Sequence, residues 1–240
     1  MNYIFSQNYQ DFFDIKDPKN IVRAALAEKD FLCNCEQFLV QCFQIHDSTA
    51  KAIACALSAR MSDARLHYHT LVHVLCMFQT AKQMGIELLL EEHLAIWFHD
   101  AIYIPENTDG VNEECSAEFM ASLIRPVISS WELECRLTAA RVLVSATACH
   151  LSETLPPEWG TIMDLDLSHF IFPIEPQRVI SECIYKECGG MLTHEDFLHR
   201  RYGFLTALMS RGNIFRSSHF DEVQATAMKN LATLRSDVGS

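Results

Sequence analysis

The sequence predicts an all-α protein from three observations. Almost every long segment of the 240-residue chain repeats its apolar residues with a helical period, whereas strand-like alternation is scarce. The clearest loops, at 105–110 and 156–160, are clusters of turn-forming residues between periodic segments. Hydrophobic residues make up 49% of the chain, which is enough for a substantial core, and no break in composition divides it. We therefore predict one helical domain over residues 1–240.

The predicted helices are bounded by residues that start or stop helices. Pro18 suits the first turn of the first helix, Gly85 ends the third, and the fourth stops before Pro105. Thr193 and Asp196 resemble a capping box at the start of the penultimate helix, with Asp in place of the usual Glu. In chain order, the helices are predicted at about 18–43, 47–62, 70–84, 88–103, 113–124, 131–150, 164–170, 176–188, 194–211 and 220–234.

Charge and hydropathy limit the classes of partner. The net charge of −12 and the pI of about 5.3 argue against general nucleic-acid binding and against binding to anionic membranes. The most apolar window, residues 86–104, is interrupted by acidic residues and histidines, which excludes an ordinary membrane span. The first residues show no secretory signal. We expect a cytoplasmic protein, and the sequence leaves its oligomeric state open.

The ten cysteines are predicted to be reduced thiols rather than disulfides. Five of them lie within amphipathic patterns, where a thiol behaves as a small apolar residue. The members of this group are Cys42, Cys55, Cys76, Cys135 and Cys149. We therefore expect these side chains in the core.

Histidine and aspartate occur in patterns typical of metal ligands. His69 and His73 are four residues apart, so on a helix they share one face, although eleven histidines make such a spacing common by chance. His99 and Asp100 interrupt a nearly all-apolar helical stretch, where the burial of polar groups is costly. They either satisfy each other or bind a divalent cation, for which both are suitable ligands.

Asp164 and Asp166 offer a further carboxylate. On a helix their side chains point about 200° apart, so only one of them can face a given cleft. The alternative for either residue is an N-cap or a first-turn acid, and Asp164 lies at the predicted start of a helix. Local sequence leaves these possibilities open.

Four longer motifs follow one another along the chain: RLHYHTLVH at 65–73, LAIWFHDAIY at 94–103, NEECSA at 112–117 and DLDLS at 164–168. Together they resemble the HD superfamily of metal-dependent phosphohydrolases, whose pattern is H…HD…D. The likeness is greatest to the branch known only as predicted HD phosphohydrolases, and cyclic-nucleotide phosphodiesterases are more distantly similar. It covers about 60–235 and implies an HD-domain helical bundle. In such a bundle, C-terminal helices over about 175–235 would pack on a metal-site core over about 60–170.

The resemblance implies roles for individual residues. His73, His99, Asp100 and Asp166 would hold one or two divalent ions of Mn, Fe, Co, Ni, Zn or Mg. Water activated by the metal would attack phosphorus, His69 would protonate the leaving oxygen, and Asp100 would bridge a second ion or orient the nucleophile. The enzyme expected is a phosphomonoesterase or phosphodiesterase. Its partner would be a small phosphorylated substrate, for which we expect a nucleotide.

Five further residues are candidates for supporting roles. Arg65 and Arg201 are expected to contact phosphate through a planar guanidinium, and Arg65 is equally compatible with a surface arginine. Glu113 and Glu114 are expected to hold a metal-bound water or to orient a ligand, unless they are only first-turn acids of a helix. His150 is expected to contact substrate or metal, unless it only stabilises a helix C-terminus.

Two other functions stay open. HD-type di-iron oxygenases use two extra histidines between the HD pair and the final Asp, whereas this chain has only His150 between Asp100 and Asp166. A non-catalytic metal- or nucleotide-binding regulatory module would be expected to lack at least one ligand, and none is missing here. The prediction is therefore a metal-dependent phosphohydrolase.

Overall fold

The computed structural model describes residues 1–9, 11, 20–105, 107, 110–152 and 154–239. These residues form ten α-helices joined by loops and 3-10 turns, and the described part of the chain contains no strand, which confirms the all-α prediction. The helices are α1 (Asn20–Phe43), α2 (Asp47–Met61), α3 (Leu71–Gln83), α4 (Leu90–Phe98), α5 (Val111–Ile124), α6 (Trp131–Ala146), α7 (Gly160–Asp166), α8 (Ile174–Glu187), α9 (His194–Ser210) and α10 (Gln224–Val238). Pro18, predicted in the first turn of the first helix, lies outside the described residues. No helix among them is both long enough and apolar enough to cross a membrane.

The apolar core is centred on α4, in which residues 94–98 are all buried. The Trp97 ring meets Phe31 of α1 edge-on, with ring centroids 5.0 Å apart, and its centroid lies 4.7 Å from that of Phe78 in α3. α4 also packs against α6 and α7. A helical segment that is apolar on all sides, as residues 94–98 are, is typical of the centre of a large core. α4 is therefore the element around which α1, α3, α6 and α7 are arranged.

α3 begins one residue later than predicted, and this bears on the position of His69. The Thr70 hydroxyl accepts a hydrogen bond from the Val72 backbone N–H, so Thr70 is the N-cap and the helix begins one residue later. His69 therefore precedes the helix. The prediction that His69 and His73 share a helical face is wrong, although the turn before the helix still brings their ring centroids to 6.4 Å.

α4 and α7 also have different ends from those predicted. α4 ends at Phe98 rather than near residue 103, because His99 occupies its C-cap position and a turn follows. α7 starts at residue 160 rather than near 164, so Asp164 lies inside the helix and is neither an N-cap nor a first-turn acid. Asp166 is the last residue of α7. His99 and Asp166 are thus both at the C-terminal ends of buried helices.

The predicted cap of α9 is confirmed. The Thr193 side chain accepts a hydrogen bond from the Asp196 backbone N–H and donates one to the Asp196 carboxylate. α5 begins after Gly110, whose φ of 85° lies in the left-handed region that glycine adopts without strain. Glu113 and Glu114 are in the first turn of α5, where acidic residues stabilise the helix dipole.

All ten cysteines are free thiols, but only some of them belong to the core. Cys35 and Cys76 are buried. Cys55, Cys135 and Cys149 are exposed, so the prediction of core positions is wrong for these three. Their helical period is real, but they lie on the outward faces of their segments, and a small residue is tolerated on either face.

Candidate metal centre

Three side chains from separate helices converge at one buried point. His73 lies in the first turn of α3, His99 directly follows α4, and Asp166 ends α7. The His73 Nε2 atom lies 3.2 Å from His99 Nε2 and 3.0 Å from Asp166 Oδ1. One ligand atom from each residue lies within 4.8 Å of the other two. Within the described residues, these three side chains, called the metal group below, could hold a metal ion.

The hydrogen bonding of His99 fits a cation in the metal group. His99 Nδ1 lies 3.1 Å from the Ile96 carbonyl oxygen, which can only accept, so Nδ1 carries the proton. In the neutral ring, Nε2 then has a lone pair directed at His73 Nε2 and at a carboxylate of Asp100. That lone pair and the Asp100 oxygen 2.9 Å away repel unless a positive charge lies between them. A divalent ion would supply that charge, and a proton would supply it in the absence of the ion.

The pKa values of His99, Asp100 and Asp166 also favour a bound positive charge. Burial alone would lower the pKa of His99, but the charges of Asp100 and Asp166 raise it to about 9. Asp100 Oδ2 lies 2.9 Å from His99 Nε2 and 3.7 Å from His73 Nε2. Burial opposes ionisation of Asp100, yet the charge on His99 lowers its pKa to about 2. The pKa of Asp166 is also held well below its usual value, by hydrogen bonds from His150 and His73 that outweigh burial. Both carboxylates are therefore ionised and favour a bound cation.

His150 contacts the second oxygen of the Asp166 carboxylate. Its Nε2 atom lies 2.8 Å from Asp166 Oδ2, whereas His73 contacts Oδ1. The Arg211 guanidinium donates a hydrogen bond of 2.6 Å to the His150 carbonyl oxygen, which fixes the turn that carries the ring. The His150 Nδ1 atom is buried and has no hydrogen-bond partner among the described residues. His150 therefore lies at the metal group and does more than end a helical segment.

Glu187, the last residue of α8, fixes the position of His69. Glu187 Oε2 lies 2.6 Å from His69 Nδ1, and Oε1 accepts hydrogen bonds of 2.6–2.9 Å from the backbone N–H groups of residues 67–69. The His69 ring also stacks on Tyr103, with ring centroids 3.7 Å apart. Burial would lower the pKa of His69, but the charge of Glu187 contributes to a net increase. The sequence carries no local signal for this contact, because the two residues are 118 positions apart.

Arg65 does not occupy the predicted position. Its guanidinium pairs with Asp63 at 2.9 Å, and its side chain is 68% exposed. Residues 62–70 form turns and bends rather than a helix, so Arg65, four residues before His69, does not share a helical face with it. The structure favours the alternative, which is a surface arginine.

The two glutamates at the start of α5 have different surroundings. Burial raises the pKa of Glu113, and the charges of Asp100 and Asp166 raise it further, so Glu113 is close enough to the metal group to interact with it electrostatically. Glu114 instead lines a surface groove together with Trp159. Of the two predicted supporting residues, Glu113 is therefore the one whose pKa is raised by the charges of Asp100 and Asp166.

Asp164 is buried and has structural partners. Its Oδ1 atom accepts a hydrogen bond of 2.8 Å from the Arg216 backbone N–H, and Oδ2 accepts one of 2.7 Å from that of Ser217. Burial raises the pKa of Asp164, and these hydrogen bonds oppose the increase. Asp164 thus joins α7 to the segment before α10, and Asp166 is the residue that belongs to the metal group.

Arg201 lies on α9 in an inward-facing row with Phe197, Leu205 and Leu208, which are buried. Its neighbours across the core include Tyr68 and His169, whose pKa values respond to its charge. The Arg201 Nε and Nη2 atoms are buried and have no hydrogen-bond partner among the described residues. Two donors of Arg201 therefore lack a partner among the described residues, and its charge acts on Tyr68, which packs on His73.

The arrangement can hold a cation. A histidine that can transfer a proton lies beside the cation position. His73, His99 and Asp166 provide the ligand atoms, and His69 lies next to them but outside the group. No family model matches this chain, and no curated protein matches it either.

Proposed function

We propose that this protein is a metal-dependent phosphohydrolase of the HD type that acts on a small phosphoester, with a nucleotide as the expected substrate. The observation that carries the proposal is the buried convergence of His73, His99 and Asp166 beside the separately held His69. Metal-assisted hydrolysis needs an activated water and a proton donor for the leaving oxygen. The order of the sequence motifs, H…HD…D, supports the same reading.

The proposed metal ligands are His73, His99, Asp100 and Asp166, with His150 as an additional candidate. Two imidazole nitrogens with two carboxylates suit Mn, Fe, Co, Ni, Zn or Mg, with water in the other positions. When bound, one or two such ions would lower the pKa of a water and neutralise charge on the phosphoryl oxygens. Asp100, which contacts the Nε2 atoms of both histidines at 2.9 and 3.7 Å, is the ligand best suited to orient the nucleophile.

His69 is the proposed proton donor. Its Nδ1 atom is engaged by Glu187 at 2.6 Å, so Nε2 is the nitrogen available to a leaving oxygen. Because the charge of Glu187 favours the protonated ring, the pKa of His69 is above that of a free histidine despite burial. Stacking on Tyr103 keeps the ring from turning away. These are the properties that a general acid requires near neutral pH.

A phosphoester screen tests the proposal. The wild type, loaded separately with each candidate metal, is assayed against nitrophenyl phosphate, bis-nitrophenyl phosphate, nucleoside monophosphates and cyclic nucleotides. We expect metal-dependent hydrolysis that is lost in Asp166→Asn and reduced about 100- to 10,000-fold in His69→Gln. His67→Gln is the matched control, because His67 is exposed and its backbone, not its ring, contacts Glu187.

Two results would overturn the proposal. One is the absence of hydrolysis of every phosphoester by protein that demonstrably holds metal. The other is two bound irons with oxygen consumption, which would favour the di-iron oxygenase, with His150 as a ligand of the second ion. Hydrolysis that survives Asp166→Asn would indicate a contaminating phosphatase.

A further inference from the structure

The guanidinium of Arg201 presents a hydrogen-bonding edge that has no partner among the described residues. Nε and Nη2 lie on the same side of the guanidinium, so their N–H bonds run parallel and match two oxygens of one anion. Both atoms are buried, and the described residues supply neither with a hydrogen-bond acceptor. The guanidinium carbon lies 5.5 Å from the centre of the Phe204 ring. The unpaired edge is therefore closed to solvent and lacks a protein partner among the described residues.

Burial of such an edge is unfavourable unless something binds it. Loss of solvation lowers the pKa of Arg201 to about 10, and an unpaired buried charge destabilises the fold. Two other arginines near the site are already used, because Arg211 donates to the His150 carbonyl and Arg216 to that of Ser152. Arg201 differs from both, since no backbone carbonyl takes its donors in the part of the chain that the structure describes.

Two side chains connect Arg201 to the metal group. The Tyr68 ring packs on His73, with ring centroids 4.8 Å apart, and the Tyr68 hydroxyl lies 3.2 Å from His169 Nδ1. The charge of Arg201 acts on both Tyr68 and His169. His169 Nε2 is a second buried nitrogen with no hydrogen-bond partner among the described residues. Arg201 and His169 thus both carry buried nitrogens that have no hydrogen-bond partner among the described residues.

We propose that Arg201 binds the terminal phosphate of a phosphomonoester, through its Nε and Nη2 atoms and two phosphoryl oxygens. The inference rests on the proposed function and specifies its substrate class as monoesters rather than diesters. The two ligand carboxylates, Asp100 and Asp166, offset the charge of one bound divalent ion. A monoester dianion therefore needs a cation beyond the metal, whereas a diester, with one negative charge, needs it less.

Binding of orthophosphate, the product of monoester hydrolysis, tests the site without requiring turnover. Metal-loaded protein is titrated with orthophosphate by calorimetry at constant ionic strength, with chloride as the reference anion. We expect the affinity to fall about 10- to 100-fold in Arg201→Met, because two charge-assisted hydrogen bonds are lost. Arg200→Met is the control, since Arg200 is the exposed neighbour on the same helix. Arg201→Lys keeps the charge without the planar edge, so we expect its affinity for orthophosphate to lie between those of Arg201→Met and Arg200→Met. This variant keeps the test decisive if Arg201→Met does not fold.

Kinetics separate this inference from the proposed function. We expect the specificity constant for nitrophenyl phosphate to fall about 10- to 100-fold in Arg201→Met and by less in Arg201→Lys, mainly through KM. The specificity constant for bis-nitrophenyl phosphate should change by less than about 3-fold in both variants. Unchanged phosphate affinity in both variants, or equal losses on monoester and diester, would overturn the role of Arg201 and leave the hydrolase standing. Arg201-dependent phosphate binding in a protein without hydrolytic activity would instead support the anion site and contradict the proposed function.

Discussion

Glu187 Oε2 lies 2.6 Å from His69 Nδ1, and the other oxygen of the same carboxylate accepts hydrogen bonds from three consecutive backbone N–H groups in the turn that carries His69. One buried side chain thus fixes both the turn and the orientation of the ring. Because three N–H groups and an imidazole all stabilise the ionised form, the pKa of Glu187 is lowered despite its burial. The C-terminal end of α8 therefore determines the geometry of the candidate site.

We predict that Glu187→Gln lowers the pKa of His69, because burial remains while the neighbouring negative charge is removed. Histidine NMR titration of the metal-free protein measures this directly. A histidine whose pKa is raised by folding contributes stability that is present below its unfolded pKa and lost as pH rises through the folded value. The variant should therefore be destabilised by about 1–3 kcal/mol near pH 6 and by less near pH 9. An unchanged His69 pKa in Glu187→Gln would contradict this account.

Asp164 should be necessary for stability but not for metal binding. An amide at this position has only one acceptor oxygen for the two N–H groups of Arg216 and Ser217, so Asp164→Asn should cost about 1–3 kcal/mol in the free energy of unfolding. Chemical denaturation at neutral pH measures the loss, and metal titration of the folded variant measures binding. Weakened metal binding in a variant that remains folded would show that Asp164 acts on the metal group.

His93 should make the protein less stable at mildly acidic pH. Burial lowers its pKa to about 4, so its contribution is complete above the unfolded pKa and is lost as pH falls from about 6.5 towards 4. Between pH 7.5 and 5 the unfolding free energy should decrease by about 2 kcal/mol more in the wild type than in His93→Asn.

Tyr3→Phe is the control for His93. The Tyr3 hydroxyl lies 2.7 Å from His93 Nδ1, but burial is the larger cause of the shift. We expect Tyr3→Phe to retain the pH dependence of the wild type. Equal pH dependence in the wild type and His93→Asn would show that His93 titrates normally in the folded protein.

The helical class could be predicted from the pattern of the sequence, whereas His73, His99 and Asp166 were selected together only by the resemblance of the motifs to a known family. Apolar periodicity reports which face of each helix is buried, and His99 stands out because it follows an unbroken apolar run. Helix ends were less accurate. α4 stops at Phe98 because the chain turns at His99, whose Nδ1 bonds the carbonyl of Ile96, and apolar residues that continue to 104 conceal that turn.

The supporting contacts could not be predicted, because they join distant parts of the chain. Glu187 binds His69 across 118 positions, and Asp164 binds Ser217 across 53. A glutamate near a helix end has the same local pattern whether it faces solvent or a histidine. The free edge of Arg201 is likewise a property of what surrounds it, and no spacing in the sequence encodes the absence of a partner among the described residues.

Metal content measured by plasma mass spectrometry, on the wild type, Asp166→Asn and Asp164→Asn purified side by side, tests the central claim most directly. Asp164 is the matched control, a buried aspartate in the same helix whose oxygens are used by backbone N–H groups. We expect at least one divalent transition metal or magnesium ion per chain in the wild type and in Asp164→Asn. We expect that ion to be lost in Asp166→Asn. Equal metal content in all three proteins, or none in the wild type after incubation with Mn or Mg, would contradict the claim.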